Sequence, residues 1–266
     1  MTNFYVWVAT HRHLARFLVI LLVFLPFGAL CVYLDMPALL IGALGFILLF
    51  FILIGVNSAH ALAEKRAIVS LHTHCDPEPL LRVTEKLLAG KLSVAARTDV
   101  LIDHAIALRE LGELTAVKRI LMEMNIDKEV GTLAYTKVIY YNNLSDILAL
   151  LGAHDEAEIW YAKALKIYAD MPENKIKRML DTTLRLATAE HHIRVGEYAK
   201  ASQILGTVKL ETPSVRIQHA LLRAELCLKK EDLDAAKRLL AEIVQRGGKL
   251  YAVTQAKQHL ANLDQM

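Results

Sequence analysis

Two uncharged apolar runs near the N-terminus constrain the fold of this chain more than any other feature. They extend over Phe17 to Leu34 and Pro37 to Val56, 18 and 20 residues, and only Asp35 and Met36 lie between them. At about 1.5 Å of rise per residue, each run forms a helix roughly 27 to 30 Å long, which matches the hydrocarbon core of a bilayer. Because the connection is so short, the second helix must return antiparallel to the first. We therefore expect a transmembrane hairpin over residues 1–57.

Basic residues flank this hairpin at its two ends. Arg12 and Arg16 precede the first run and Lys65 and Arg66 follow the second, whereas the turn contains Asp35 and no lysine or arginine. By the positive-inside rule, both chain termini and everything after the second run are cytoplasmic. We expect an integral membrane protein, in a bacterial cell membrane, with a cytoplasmic C-terminal domain.

A buried core helix and a secretory signal both fit the apolar runs less well than membrane spans do. A buried core helix seldom runs this far without one polar residue. A secretory signal is suggested by the small residues Ser58, Ala59, Ala61 and Ala63 after the second run. However, the apolar core is too long for a signal peptide, and no basic segment stands before Pro37. Both runs are therefore expected to remain as membrane spans.

The remainder of the chain, residues 57–266, has the composition of an ordinary helical domain. It contains 29 basic and 27 acidic residues, a near balance that argues against a nucleic-acid surface. Cys31, Cys75 and Cys227 are far apart in sequence and form no disulfide framework, which suits a reducing cytoplasm. Apolar residues recur at helical spacing and almost nothing is typical of a strand, so an all-α fold is expected.

A motif of two helices joined by a tight turn repeats along this domain. In its clearest copy one apolar stripe is followed by Gly152 at the turn and by a second stripe that faces the first: Tyr141, Leu144, Leu148 and Leu151, then Ala157, Tyr161, Ala164 and Leu165. Ser145 and Ala157 are small, as expected where two antiparallel helices cross closely, and Gly152 is expected in a left-handed conformation. Three further copies place Gly112, Gly196 and Glu231 at the turn.

This pattern resembles the tetratricopeptide repeat family, whose helix pairs are about 34 residues long. The resemblance covers roughly Thr98 to Gln245 and is clearest in two fragments: Leu144-Ser145-x-x-Leu148-x-x-x-Gly152-x-His154-x-x-Ala157-x-x-x-Tyr161-x-x-Ala164-Leu165 and Gly196-Glu197-Tyr198-x-x-Ala201. The four turn positions are 40, 44 and 35 residues apart, so the first helices of the second and third copies are expected to be longer than the family norm. The tryptophan that the family favours in the first helix is absent. A generic helical bundle is the alternative.

The resemblance implies an α-solenoid of about four helix pairs. We expect a juxtamembrane helical linker with a degenerate repeat over residues 58–96, the repeats over 97–248, and a C-terminal capping helix over 249–266. The break at Gly247 and Gly248 separates the last repeat from that cap.

Few residues suggest catalysis or metal binding. His72, His74 and Cys75 have side chains that zinc prefers, but neighbours two apart on a helix point away from each other, and no second pair stands at ligand spacing. No serine, cysteine or carboxylate pair lies beside a recognisable base or a glycine-rich loop. We therefore expect no enzyme activity, no metal and no cofactor.

Binding is the more plausible activity, because stacked helix pairs line a concave surface with their first helices. Aligning the copies predicts six residues on that surface: Asp99, Asp103, Asn142, Asp146, Glu190 and Glu225. Such a groove is acidic and favours a basic protein or peptide segment. The peptide-clamping members of the family instead hold a terminal carboxylate with lysine, arginine and asparagine, a set that this chain lacks. The alternative is that these six side chains are ordinary solvated residues.

The sequence thus predicts a membrane-anchored scaffold for protein–protein interaction. One alternative is a signalling component that senses a peptide or a lipid, although family members of that kind usually carry a DNA-binding helix-turn-helix, which is missing here. Another is a subunit of a larger membrane complex, since Ala38, Gly42 and Gly45 give the second span a small-residue face.

Overall fold

The protein is all-helical in the computed structural model, which describes residues 2–34, 36–128 and 133–265. These residues form fourteen helices and no strand. The helices are α1 (Thr2–Thr10), α2 (Arg12–Tyr33), α3 (Ala38–Asn57), α4 (Ala59–His74), α5 (Glu78–Leu88), α6 (Val94–Glu110), α7 (Leu114–Glu123), α8 (Ala134–Leu150), α9 (His154–Asp170), α10 (Lys175–Arg194), α11 (Tyr198–Leu205), α12 (Pro213–Lys229), α13 (Leu233–Arg246) and α14 (Tyr251–Leu263).

Helices α2 and α3 are long and apolar enough to span a membrane. The apolar parts are Leu14–Tyr33 and Ala38–Val56, and only 11% of each is buried inside the protein. The two helices pack against each other, and a Cβ built on Gly45 would lie 3.6 Å from the Phe24 ring. The expected turn residue Asp35 lies outside the described residues. Two helices of this length that expose this much apolar surface could span a membrane.

Helix α4 continues α3 almost without interruption. Only Ser58 separates the two, and helical bonding passes through it: Ser58 N donates to Ile54 O at 2.9 Å, and Leu62 N donates to Ser58 O at 3.2 Å. Helix α1 precedes α2 with a single intervening residue, His11, and packs against α4 and α5. The two apolar helices are therefore joined directly to helices of the larger domain.

Four consecutive helix pairs follow the phase that the sequence predicts: α6 with α7, α8 with α9, α10 with α11, and α12 with α13. The turn positions Gly112, Gly152 and Gly196 have φ of +86°, +81° and +82°, and Glu231 has φ of 63°. All four lie in the left-handed region, which closes a helix and reverses the chain, so the prediction for Gly152 is confirmed.

Small residues allow close crossing within these pairs. Ala157 is fully buried, and Ser145 Oγ donates a hydrogen bond to Ala157 O at 2.8 Å across the α8–α9 seam. Tyr161, also buried, donates its hydroxyl to Thr188 Oγ1 at 2.9 Å and thereby links this pair to α10. The expected small residues are thus at the helix contacts.

The extra length in the repeats is only partly in the first helices. Helix α10 has 20 residues, but α8 has 17, the same as α6 and α12. Helix α8 is therefore no longer than the first helices of the first and fourth copies. The additional residues lie in the connection after Glu123, of which residues 129–132 are outside the described part of the chain.

The two ends of the array contact each other. Helix α12 packs against α4, and Lys249 N donates to Cys75 O at 2.9 Å. Lys249 Nζ lies 2.9 Å from Glu78 Oε2. One core cluster joins buried residues of α1, α4, α5 and α6 to those of α12, α13 and α14. The array therefore closes on itself, a contact that the expected α-solenoid of about four helix pairs did not include.

The segment expected as a C-terminal cap packs on the last repeat pair and also on the first helix of the first pair. Helix α14 packs on α13, α12 and α6, and the Tyr251 ring lies where a Cβ on Gly112 would approach it to 2.6 Å. The helix fills the joint between the first and last repeat pairs. Likewise α4, expected as a linker, supplies apolar residues to this joint: Ala59, Ala63, Ala67 and Leu71.

Candidate functional site

The six predicted groove residues lie on four helices that are neighbours in space. Asp99 and Asp103 are on α6, Asn142 and Asp146 on α8, Glu190 on α10 and Glu225 on α12. Helix α8 packs between α6 and α10, and α10 packs against α12. None of the six is an exposed residue, whereas ordinary solvated side chains on helix faces would be. Their arrangement is that of one inner face.

The inner face contains two groups of ionisable residues. We name them the Glu64 group (Glu64, Asp99 and Asp103) and the Arg109 group (Arg109, Glu110, Asp146, Glu190 and Glu225). Each is defined by mutual charge interactions among its members.

The Glu64 group holds a buried carboxyl close to two others. Glu64 is only 5% exposed, and its Oε1 has no hydrogen-bond partner in the part of the chain that the structure describes. Burial, followed by the charges of Asp103 and Asp99, raises the pKa of Glu64 to about 8. Burial and then the charge of Asp99 raise the pKa of Asp103 to about 7. Glu64 is therefore protonated at neutral pH, and Asp103 titrates there.

The Arg109 group is organised by one guanidinium. Arg109 Nη1 lies 2.8 Å from Glu110 Oε1, and Arg109 Nε contacts Asp146 Oδ2. Glu110 is 7% exposed, and its Oε1 also accepts a hydrogen bond from Gln218 Nε2 at 3.2 Å. The guanidinium thus joins α6 to α8, and Glu110 joins α6 to α12.

Two carboxyls of this group are short of positive partners. Burial, and then the charges of Asp146 and Glu225, raise the pKa of Glu190 well above its ordinary value, although Arg109 opposes the shift. Burial is also the largest cause that raises the pKa of Glu225 to about 7, against the effect of Lys229. Both groups bind protons more tightly than free carboxylates do, because charging them here is costly.

Asn142 adds an unused acceptor to the inner face. It is 9% exposed, its Oδ1 has no hydrogen-bond partner among the described residues, and it lies one helical turn before Asp146. A buried amide oxygen without a donor costs stability. Asn142 Oδ1 and Glu64 Oε1 are therefore two buried acceptor atoms that receive no hydrogen bond from the described part of the chain.

Sequence reasoning did not identify three residues of this face: Glu64, Arg109 and Glu110. Arg109 corrects the expectation of a purely acidic groove, because it supplies a central positive charge. Glu64 could have been found, since it borders Ala63 and Ala67 in a run of small residues at four-residue spacing, the signature of a packed helix face. Nothing in the pattern around Arg109 distinguishes it from a surface arginine.

The histidine and cysteine of the considered metal motif have structural contacts instead. His72 Nδ1 shares a hydrogen bond with Ser214 Oγ at 2.9 Å, which ties α4 to α12. Cys75 is buried with φ of 52° and ends α4. Among the described residues no three histidine, cysteine or acidic side chains form a group that could hold a metal ion.

Comparison with protein-family models, with curated proteins and with solved structures found no match to this chain. The resemblance to tetratricopeptide repeats therefore rests on the residues and on the turn geometry described above.

Proposed function

We propose that this protein is a membrane-anchored scaffold that binds a protein or peptide partner on the inner face of its helical array. The hairpin of α2 and α3 anchors the array, which by the positive-inside rule lies on the cytoplasmic side. The resemblance to tetratricopeptide repeats supports a binding role, since such arrays bind partners on their concave surface.

One observation supports this proposal most strongly: polar groups that lower the stability of the fold converge on one face. Side chains from α4, α6, α8, α10 and α12 meet there, and several carboxyls have raised pKa values. Apolar residues at these positions would stabilise the fold better. Groups kept at a cost to stability are typical of functional sites.

The chemistry of this face favours a basic partner segment. A lysine or arginine side chain would compensate the carboxylates of Asp103, Glu190 and Glu225, replacing the protons that they hold at neutral pH. The positive charge of Arg109 would reduce the non-specific attraction of cations to this face. Its contact with Asp146 would also hold that carboxylate in position.

A second candidate is a subunit of a larger membrane complex. The outer surface of the hairpin is uncovered, and a Cβ built on Gly28, Gly42 or Gly55 would meet nothing within 4 Å among the described residues. Bare glycines on a span allow close approach of another helix.

The two candidates are separated by locating the partner. We expect the triple variant Asp103→Asn, Glu190→Gln, Glu225→Gln to recover at least about tenfold less partner from solubilised membranes, because it removes the charges that would hold a basic segment. The matched control neutralises three exposed acids, Glu123, Glu156 and Glu211, to Gln and should recover wild-type amounts. A photocrosslinker at Gly42 that captures the partner, with the triple variant unaffected, would instead favour the complex subunit.

A further inference from the structure

A cleft between α1 and α4 lies outside the inner face and has no role in the scaffold proposal. It measures about 330 Å³ and is lined by Tyr5 from α1 and by Leu62, Lys65, Arg66 and Val69 from α4. The four α4 residues are spaced by three, one and three, so they form a single stripe along the helix. The stripe is apolar at both ends and basic in the middle.

A second cleft adjoins the first through Arg66. It measures about 320 Å³, and its polar lining consists of Arg66, Ser70, Arg82 and Lys86. Among the described residues that line the two clefts there are four cations and no carboxylate, and one of the cations, Arg82, pairs with Glu78 at 3.2 Å. The Arg66 guanidinium lies over the Tyr5 ring, 5.3 Å from its centroid, so the aromatic ring holds it at the junction.

Both walls of the first cleft are joined directly to the apolar spans. Helix α1 enters α2 through His11 alone, and α4 leaves α3 through Ser58 alone. The cleft therefore lies where the two spans end on their shared side. Helix α1 also exposes Phe4 and Trp7, 62% and 38% of their surface, and aromatic side chains of this kind favour the interface between membrane and water.

We propose that the paired clefts bind the headgroup of an anionic phospholipid from the membrane in which the hairpin lies. The phosphate would contact Lys65 and Arg66, and the Ser70 hydroxyl is placed to hydrogen-bond a polar headgroup in the second cleft. Leu62 and Val69, which are 42% and 51% exposed, would pack against the glycerol and the first methylenes of the acyl chains. Cations beside a membrane span are the recurring means by which proteins bind anionic lipids.

Such a lipid would fix the orientation of the array. The second cleft is bounded by α4 and α5, and α5 packs directly on α6, which contributes Asp99, Asp103 and Arg109 to the inner face. A headgroup held between α1, α4 and α5 would therefore set the angle at which that face meets the membrane. The inference rests on membrane insertion of the hairpin and does not depend on partner binding.

Native mass spectrometry of the full chain tests this inference. The detergent-solubilised protein is titrated with phosphatidylglycerol and with phosphatidylcholine of the same acyl chains. We expect stronger binding of phosphatidylglycerol, and we expect the double variant Lys65→Gln, Arg66→Gln to weaken it about 25-fold, about fivefold per cation, with phosphatidylcholine unaffected. Both side chains are exposed, so the helicity of the variant should match the wild type.

The matched control is Lys175→Gln, Arg178→Gln, which removes two exposed cations from α10. It should bind phosphatidylglycerol as the wild type does. Equal losses in the two double variants, or no loss in the first, would overturn the proposal. The single variant Lys65→Gln, with an expected loss of about fivefold, replaces the double variant if the latter is poorly folded. Displacement of the lipid by millimolar inorganic phosphate would show a general anion site and would also overturn it.

Discussion

The seam between α8 and α9 differs from the inner face of the array in how its buried polar atoms are paired. In the seam, Ala157 and Ala164 are fully buried, and the hydroxyl of the buried Ser145 donates a hydrogen bond to Ala157 O at 2.8 Å. On the inner face, Glu64 Oε1 and Asn142 Oδ1 are buried without a hydrogen-bond partner among the described residues. The seam satisfies its polar groups and the inner face does not.

This difference separates the contacts that stabilise the array from the face that we propose binds a partner. Close packing of small and apolar side chains stabilises the seams between helices. Carboxyls that are withdrawn from water and only partly paired lower the stability of the fold. We conclude that the seams between helices stabilise the fold and that the inner face lowers its unfolding free energy.

The largest effect is expected on the inner face, at Arg109. Arg109→Leu leaves Glu110 and Asp146 without the cation that both contact. Breaking a buried ion pair costs about 3 to 5 kcal/mol, and we expect about 3 kcal/mol because Arg109 keeps some contact with water. Urea unfolding followed by circular dichroism measures this loss. Arg119→Leu, on the exposed surface of α7, should change stability by less than about 0.5 kcal/mol. A similar small loss for both would mean that the inner face is not an electrostatic unit.

The next largest effect is expected in the seam. Ala157→Leu forces three additional carbon atoms into a contact that leaves Ala157 no exposed surface. Overpacking of this kind costs about 1 to 3 kcal/mol, measured as the change in unfolding free energy. Glu156→Leu places the same side chain on the solvent side of the helix and should matter little. If the two variants unfolded alike, the repeat phase would be wrong.

A smaller effect isolates the contact between the two ends of the array. Gly112→Ala and Gly152→Ala both introduce a Cβ at a positive φ, +86° and +81°, so they share the backbone strain. At Gly152 the new Cβ meets nothing within 4 Å, whereas at Gly112 it approaches the Tyr251 ring to 2.6 Å. We expect Gly112→Ala to lower the melting temperature further, by the equivalent of about 1 kcal/mol. Identical melting temperatures would contradict closure of the array in solution.

The helices and their turns could be predicted from the sequence because local patterns determine them. A left-handed residue is needed wherever a helix ends in a tight reversal, and glycine occupies three of the four positions. The small residues Ser145 and Ala157 lie at the crossing because a larger side chain would separate the helices. These inferences involve residues that are close in sequence.

Closure of the array could not be predicted, because it depends on the sum of many small rotations between helix pairs. The hydrogen bond between Lys249 and Cys75 depends on the orientation of every helix pair that lies between them in sequence. The same is true of the inner face, where Glu64 approaches Asp99 and Asp103 only after α4 packs into the array. The alignment of repeats identified residues of the first helices but not Glu64, which precedes the repeats, nor Arg109, whose two ionic partners are an adjacent residue and a residue of the next pair.

The pH dependence of stability tests the central claim most directly, because buried carboxyls with raised pKa values make a specific prediction. The pKa of Asp103 rises from 3.8 to about 7 on folding, and that of Glu225 from 4.5 to about 7. At pH values between the ordinary pKa of each carboxyl and its pKa of about 7 in the native state, the native state binds more protons at these two groups than the unfolded state does. The contribution of these two groups to the unfolding free energy therefore falls as the pH rises through this window.

The measurement is the unfolding free energy of the full chain at pH 5 and at pH 8, for the wild type and for the variant Asp103→Asn, Glu190→Gln, Glu225→Gln. We predict that the change in unfolding free energy from pH 5 to pH 8 is less favourable for the wild type than for the variant, because the histidines are common to both. At pH 8 the variant should be the more stable protein by at least about 1 kcal/mol, since the cost of charging these groups is gone. Two results would contradict the conclusion that the inner face lowers the stability of the fold. One is a variant that is less stable than the wild type at pH 8, and the other is a variant whose unfolding free energy depends on pH as the wild type's does.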